Sequence, residues 1–392
     1  MGRIGIYGGA FNPPHTGHIR AAEYALQALN LDKLLLIPSC SSPHKPLPAG
    51  SPEPKRRLEM TKLWAGEKME VCDIELSRGG TSYTYQTVEQ LKLQYPEDEL
   101  VLFMGTDMFL SFHTWKEPER ILSCVSLAVF YRRDKNEQAA IAKTQKEYET
   151  AGHRVYLVEN PVTEISSTQL RRMLVFRCAA PFLDGKVLRY IEENGLYGTD
   201  RDYKNLSMED LEQVAVNLLN PNRVKHVLGC RDTAAELARV WGADETDAAR
   251  AGLLHDITKA LDGPLQLTLC RDYGKVLDEF SENNPKTLHA LTGSMVAERI
   301  FGENQAVVSA IESHTTGKPA MNTLEKIIYV ADYMEPNRDF PGVEELRRLA
   351  YTDLDGALKL GLEMTLEVLR QQRRQISPAS CQALAYLEQK GN

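Results

Sequence analysis

A chain of 392 residues, 43% hydrophobic and 26% charged, is long for one domain and carries apolar material for two cores. Its formal net charge of −8 argues against a general nucleic-acid footprint, so phosphate binding has to come from local sites. Seven cysteines without CxxC spacing read as reduced thiols of a cytoplasmic protein, and neither a secretory leader nor an apolar run of the ~20 residues a membrane helix needs is visible.

The first half alternates between strand and helix patterns. RIGIY (3–7) reads as a buried strand, 19–29 as a helix and KLLLIP (33–38) as a second strand, a spacing that fits a right-handed parallel crossover. Further strands are predicted at 69–76, 99–105, 125–132 and 154–160, with helical segments between most of them. The expectation is an α/β doubly wound, Rossmann-like parallel sheet. After NGLYG (194–198) and a polar stretch, strand patterns nearly vanish and long amphipathic segments follow, with Gly242 and Gly302 as stops. The predicted division is an α/β domain over 1–198 and an all-α domain over 206–392.

In open α/β sheets ligands bind beyond the carboxyl ends of the strands, where GGAFNPPHTGH (8–18) falls. Gly8 and Gly9 admit a bulky group, the helix after Thr16 offers free N–H groups, and His15 and His18 on its first turn can donate to phosphate oxygens. Asp107, just past a strand, is placed to hold ribose hydroxyls or to cap a helix. Ser166, Ser167 and Thr168 open a helix with Arg171 and Arg172 one turn on, a second phosphate clamp or a plain cap with solvated arginines.

These segments, with PHK (43–45), GGTSYTYQT (79–87), GTD (105–107), Trp115 and ISSTQLR (165–171), resemble the HxGH nucleotidyltransferases, and within them bacterial nicotinate-nucleotide adenylyltransferase, over about 190 residues. The resemblance implies that His15 and His18 bind the ATP phosphates, with Gly8, Gly9, Phe11 and Asn12 shaping the loop. It implies that Lys45 faces the reacting phosphates, that Ser82, Tyr83 and Thr84 approach nicotinate mononucleotide, and that Trp115 stacks on the pyridine. Gly105 and Asp107 then contact the adenosine, and Ser166, Ser167 and Arg171 grip the triphosphate. A Mg²⁺ carried by ATP fits, since no carboxylate cluster supplies a cage. Class I aminoacyl-tRNA synthetases also use an HxGH helix start, but ISSTQLR lacks the lysines of their later phosphate loop.

Four of the nine histidines, His226, His255, His289 and His314, fall in the helical half, and LLHDI and YVAD each set an Asp inside an apolar run. A buried carboxylate needs a partner, and a metal suits two carboxylates among four imidazoles. His255 and Asp256, adjacent in sequence, can share an ion if a helix end faces it or if Asp256 bridges two. The order His226, His255–Asp256, Asp332 resembles the HD phosphohydrolases. The longer set HVLGC, GLLHDITK, LHALTG, ESHTTG and YVADYMEPNRDFPGVEELR resembles the HD-domain symmetrical diadenosine-tetraphosphate hydrolases. The resemblance implies two metal ions, iron in the family's usual description. His226, His255, Asp256 and Asp332 would hold one, His289 and His314 the other, with Asp256 bridging. Lys259 and Arg338 are candidates to hold phosphates, and Thr315 and Gly317 to line the pocket. The competing readings are another nucleotide phosphohydrolase, or a metal-containing sensor module without turnover.

The expectation is therefore a cytoplasmic fusion whose partners are ATP, nicotinate mononucleotide and diadenosine tetraphosphate, with no nucleic-acid or membrane partner. A homo-oligomer is compatible with it.

Overall fold

A computed structural model describes residues 2–41, 46–131, 135–159 and 165–390. The chain divides into two compact units, Met1–Arg201 and Asp202–Asn392.

The first unit is built on six parallel strands: β1 (Arg3–Gly9), β2 (Lys33–Pro38), β3 (Met69–Val71), β4 (Glu99–Gly105), β5 (Ser126–Tyr131) and β6 (Val155–Glu159). Their order is β3-β2-β1-β4-β5-β6, so the chain winds outward from β1 on one side, then returns to β4 and winds outward on the other. Helices on both faces bury the inner strands, which is why β2 and β4 are near-continuous apolar runs. The reversal of direction opens a crevice beyond the carboxyl ends of β1 and β4. Ile6 pairs with Leu35 on one side and Leu102 on the other, which fixes those ends relative to each other.

The strand expected over 69–76 is shorter. Only Met69–Val71 pair with β2, and a helix over Ile74–Arg78 follows. The alternation in MEVCDIEL is real, but β3 is an edge strand with one neighbour. Ile74 and Glu75 are buried consecutively, which a helix permits and a one-sided strand does not. The helix ends at Gly79, whose φ of 71° turns the chain toward Ser82 and Thr84.

The second unit contains no strand among its described residues. Helices Val224–Trp241, Glu245–Leu254, Leu288–Arg299, Gln305–Ser313 and Thr323–Met334 pack side by side around His226, His255, Asp256, His289, His314 and Asp332. Their starts are fixed by side-chain caps: Asp244 on Asp247 N, Asn304 on Ala306 N and Val307 N, and a reciprocal Asn322–Glu325 box. Gly242, in the left-handed region, ends the first of them. Among the described residues no helix is long and apolar enough to cross a membrane.

Candidate active sites

In the first unit a cavity of about 720 Å³ lies in the crevice beyond β1 and β4. Gly8, Gly9 and Asn12 form one wall, and Gly105, Asp107 and Trp115 another. Ser82 and Thr84 reach it from the loop after Gly79, and Ser166, Ser167 and Arg171 from the last phosphate-clamp helix. Thus segments separated by up to ~160 positions meet on one cavity. Gly105 caps the short helix Thr106–Leu110, which puts Asp107 inside its first turn rather than at its cap. Ser166 caps the helix Ser167–Val175 by accepting from Gln169 N, so part of its side chain is engaged locally.

His15 caps the helix Thr16–Ala28 and His18 is its third residue. Their ring centroids are 3.7 Å apart, and His15 N donates to His18 Nδ1 at 3.2 Å. An accepting Nδ1 leaves the proton of a neutral ring on Nε2, which makes that atom a donor. Burial, with the neighbouring His18, pushes His15 down to about 2, and burial pushes His18 down to about 4. Both rings are therefore neutral near pH 7. His15 Nδ1 is buried without a partner. Neither His15 nor His18 is among the residues lining the cavity, and Phe11, 1% exposed and edge-on to His18, backs that ring. Tyr83 likewise stands off the cavity, under Lys116 Nζ at 4.2 Å. Lys45 lies outside the described residues.

Two residues at this site were not singled out from sequence. Arg57, fully buried, donates to the carbonyls of Ala10, Ser39 and Cys40 and so ties the loops after β1 and β2 together. Tyr197 donates to Asn12 Oδ1 at 2.8 Å, while Arg171 Nη1 donates to Asn12 O at 2.8 Å. In PKRRLEM, Arg57 looks like any solvated helix charge, and nothing in the local pattern distinguishes it.

In the second unit the helix Glu245–Leu254 ends at His255, so His255 and Asp256 occupy the turn beyond a helix end, the first of the two arrangements that let neighbours share an ion. His226, His255 and Asp332 present ligand atoms all within 4.8 Å of one another, and so do His255, Asp256 and His314. Asp256 divides its oxygens. Oδ2 faces His226 Nε2 at 3.7 Å and His255 Nε2 at 3.5 Å, and Oδ1 faces His289 Nε2 at 3.5 Å and His314 Nε2 at 3.8 Å. Asp332 Oδ1 is 3.1 Å from His226 Nε2. All six predicted cage residues therefore converge.

The other ring nitrogens are tied back. His255 Nδ1 meets Gly252 O at 2.7 Å, His289 Nδ1 meets Lys286 O at 2.9 Å, and His314 Nδ1 meets Ile311 O at 2.7 Å. His226 Nδ1 meets Glu335 Oε1 at 3.0 Å. A carbonyl only accepts, so the Nδ1 atoms of His255, His289 and His314 carry protons, and in the neutral rings of His289 and His314 the inward Nε2 keeps a lone pair, as metal ligation requires. Burial would raise Asp256, but His255, His314 and Lys259 hold it well below the usual carboxylate range; His226, His255 and Arg338 do the same for Asp332. Burial pushes His289 down to about 3 and lowers His314, which keeps both neutral. His255 rises against its burial because Cys230 and Asp256 draw positive charge there. Asp256 Oδ1 meets Lys259 Nζ at 3.1 Å yet lacks a well-formed hydrogen bond. Two anionic carboxylates and imidazole lone pairs around a buried, under-satisfied oxygen fit divalent cations with N/O preference.

Three cations ring this centre: Arg223 on Asp256 Oδ2, Lys259 on Asp256 Oδ1, and Arg338 on Asp332 Oδ1 at 2.6 Å. Thr315 Oγ1 lies 3.1 Å from both His289 Nε2 and His314 Nε2. A Cβ at Gly317 would meet the side chains of Ala383 and Leu362. Arg223 and Glu335 were not read from sequence, although each stands three residues from a ligand, one helical turn away. Glu335 also accepts from Asn337, and a Cβ at Gly229 would collide with it.

Comparison with known proteins divides the chain in the same way. A cytidylyltransferase-like family model matches residues 6–173 and an HD domain model matches residues 223–337. A probable nicotinate-nucleotide adenylyltransferase of Shouchella clausii is 38% identical over 205 residues, 52% of this chain and 100% of the relative. Symmetrical bis(5′-nucleosyl)-tetraphosphatases of Halalkalibacterium halodurans and Bacillus subtilis are 41% identical over 161 residues and 38% over 162, each spanning 41% of this chain and 86% of the relative.

Proposed function

The chain belongs to the nicotinate-nucleotide adenylyltransferases over its first half and to the HD-domain symmetrical bis(5′-nucleosyl)-tetraphosphatases over its second, and from that premise we propose that one polypeptide carries both activities. The first unit transfers adenylyl from ATP to nicotinate mononucleotide. The second cuts diadenosine tetraphosphate into two ADP. What supports the double reading is that each unit gathers groups suited to its own reaction: the cavity lined by Gly8, Gly9, Asp107, Ser166 and Arg171, and the cage around Asp256.

In the first reaction an oxygen of the mononucleotide's phosphate bonds to the α-phosphorus of ATP as the bond to the bridging oxygen breaks, and pyrophosphate leaves. Nucleophile and electrophile both arrive with the substrates, so the protein positions and neutralises. The N–H groups of the neutral His15 and His18 rings and the Arg171 guanidinium meet the developing charge on the phosphates, with Ser166 and Ser167 beside them and Mg²⁺ arriving with ATP. Asp107 holds the ribose, and Trp115 stacks on the pyridine ring of the acceptor.

In the second, water adds to one of the two central phosphorus atoms and the oxygen bridge between them breaks, giving two equal halves. His226, His255, Asp256 and Asp332 would hold one ion and His289 and His314 the other, with Asp256 between them. Iron is the ion the family resemblance favours. Such ions supply charge neutralisation and a more acidic water. Arg223, Lys259 and Arg338 bind the remaining phosphate charge, and the Nδ1 contacts keep the imidazoles oriented.

The test is to assay the full chain, loaded with iron or manganese, on both substrate sets. The expected products are nicotinate adenine dinucleotide with pyrophosphate, and ADP alone from the tetraphosphate. His18→Ala abolishes the first and spares the second. AMP with ATP as products, or no turnover with metal bound, would assign the second unit to a different hydrolysis or to sensing.

A further inference from the structure

Arg57 is a cation in an unusual setting. It is 0% exposed. Nη1 donates to Ala10 O at 2.7 Å, and Nη2 to Ser39 O at 2.7 Å and Cys40 O at 3.1 Å, while Nε has no partner. Every partner is a neutral carbonyl, and among the described residues no carboxylate pairs with it. Ala10 and Ser39 both line the cavity and Arg57 does not, so the guanidinium backs the wall that these two residues form. Tyr197, the neighbouring phenol, is pushed up by burial and stays neutral, so it does not offset the charge. Arg171, in the wall itself, also bonds a carbonyl and a hydroxyl and, among the described residues, no carboxylate.

Burying a charge is expensive unless a counter-charge accompanies it. Three carbonyl bonds recover part of that cost, and neutral donors of similar shape would tie the same loops without it. The charge therefore has a use that the protein's own groups do not supply, and the cavity in front of it is where an anion goes.

We propose that Arg57 is a positioning residue whose buried charge, acting through the Ala10 and Ser39 peptide groups and without touching the nucleotide, selects a polyphosphate in the first unit's cavity. The inference rests on that cavity being the ATP site. Peptide dipoles held by Arg57 point their carbonyl ends at it and are polarised by it, and the low-dielectric wall transmits the field to the phosphates.

The experiment compares the affinity of the full chain for ATP and for adenosine, which shares the base and ribose but carries no charge. Arg57→Gln weakens ATP about tenfold and adenosine less than about twofold, since one unit charge across a protein wall is worth roughly a decade in affinity. The dependence of ATP affinity on salt also becomes shallower. Arg57→Lys keeps the charge while losing the forked geometry, and its ATP-to-adenosine ratio stays within about twofold of wild type. Equal losses for ATP and adenosine in Arg57→Gln, or an ATP-to-adenosine ratio in Arg57→Lys that falls as far as in Arg57→Gln, overturn the proposal and leave Arg57 as a loop strut. Failure of the wild-type chain to bind ATP instead overturns the reading of the cavity itself.

Discussion

The two candidate sites are built on opposite electrostatics. The first carries positive charge without a carboxylate partner among the described residues: Arg171 in the cavity wall, and Arg57 bonded to the carbonyls of the wall residues Ala10 and Ser39. The second is built around negative charge, with Asp256 and Asp332 held well below the usual carboxylate range, and needs cations before it can accept an anion. Histidine serves both, in opposite tautomers. His18 Nδ1 accepts from a backbone N–H, so its outer nitrogen donates. His255, His289 and His314 each give Nδ1–H to a backbone carbonyl, so in the rings that burial keeps neutral, His289 and His314, the inward nitrogen offers a lone pair. Burial keeps most of these rings neutral, and the backbone partner then decides whether the remaining nitrogen donates a proton or offers a lone pair.

The largest expected effect breaks this comparison at one oxygen pair. Asp256→Ala removes the carboxylate that spans both imidazole pairs, so it strips bound metal and lowers hydrolysis by about 10³-fold or more. Adenylyl transfer stays within about twofold. Elemental analysis with both assays checks it, and unchanged metal stoichiometry would refute the bridging role.

Much of this contrast is legible in the sequence, for a physical reason. LLHDI and YVAD advertise their aspartates because a charge inside an apolar run demands a partner, and the helices around them carry the same apolar periodicity that buries them. The inner strands β1, β2 and β4 announce themselves as continuous apolar runs because the sheet is covered on both faces. Edge strand β3 was read too long, since alternation over 69–76 says nothing about how many residues find a neighbour. Arg57, Arg223 and Glu335 stayed hidden. Each is a charge in a polar helical or loop context, where solvation is the ordinary outcome. Only the tertiary placement of Ala10, Asp256 and His226 shows that these charges are spoken for.

Glu335→Gln sharpens the comparison at the tautomer. Glu335 is the one Nδ1 partner in the cage that is a carboxylate rather than a carbonyl, and it raises the donor strength of His226. The amide keeps the shape and loses the charge. Metal affinity is expected to fall by about 10–100-fold, read by competition with a chelator, with the fold intact by circular dichroism. An affinity unchanged within error means that orientation alone matters at His226.

The smallest effect concerns the first unit's imidazoles and its sign follows from their burial. His15 and His18 are depressed to about 2 and about 4, below the 6.5 of an unfolded histidine, so the unfolded chain binds more protons between those values. Their contribution to stability is full above about pH 6.5 and is lost as the pH falls toward the folded values, by roughly 1 kcal/mol per pH unit for each ring. Thermal unfolding of the wild type between pH 8 and pH 5 should therefore show a steeper acid slope than His15→Gln, which lacks one of the two protons. Because the rings are neutral throughout that range, ATP affinity should show no step near pH 6.5 attributable to them. A step there, with tighter binding on the acid side, means that an imidazolium rather than a neutral N–H meets the phosphates, and the contrast between the two units then rests on tautomers in the second alone.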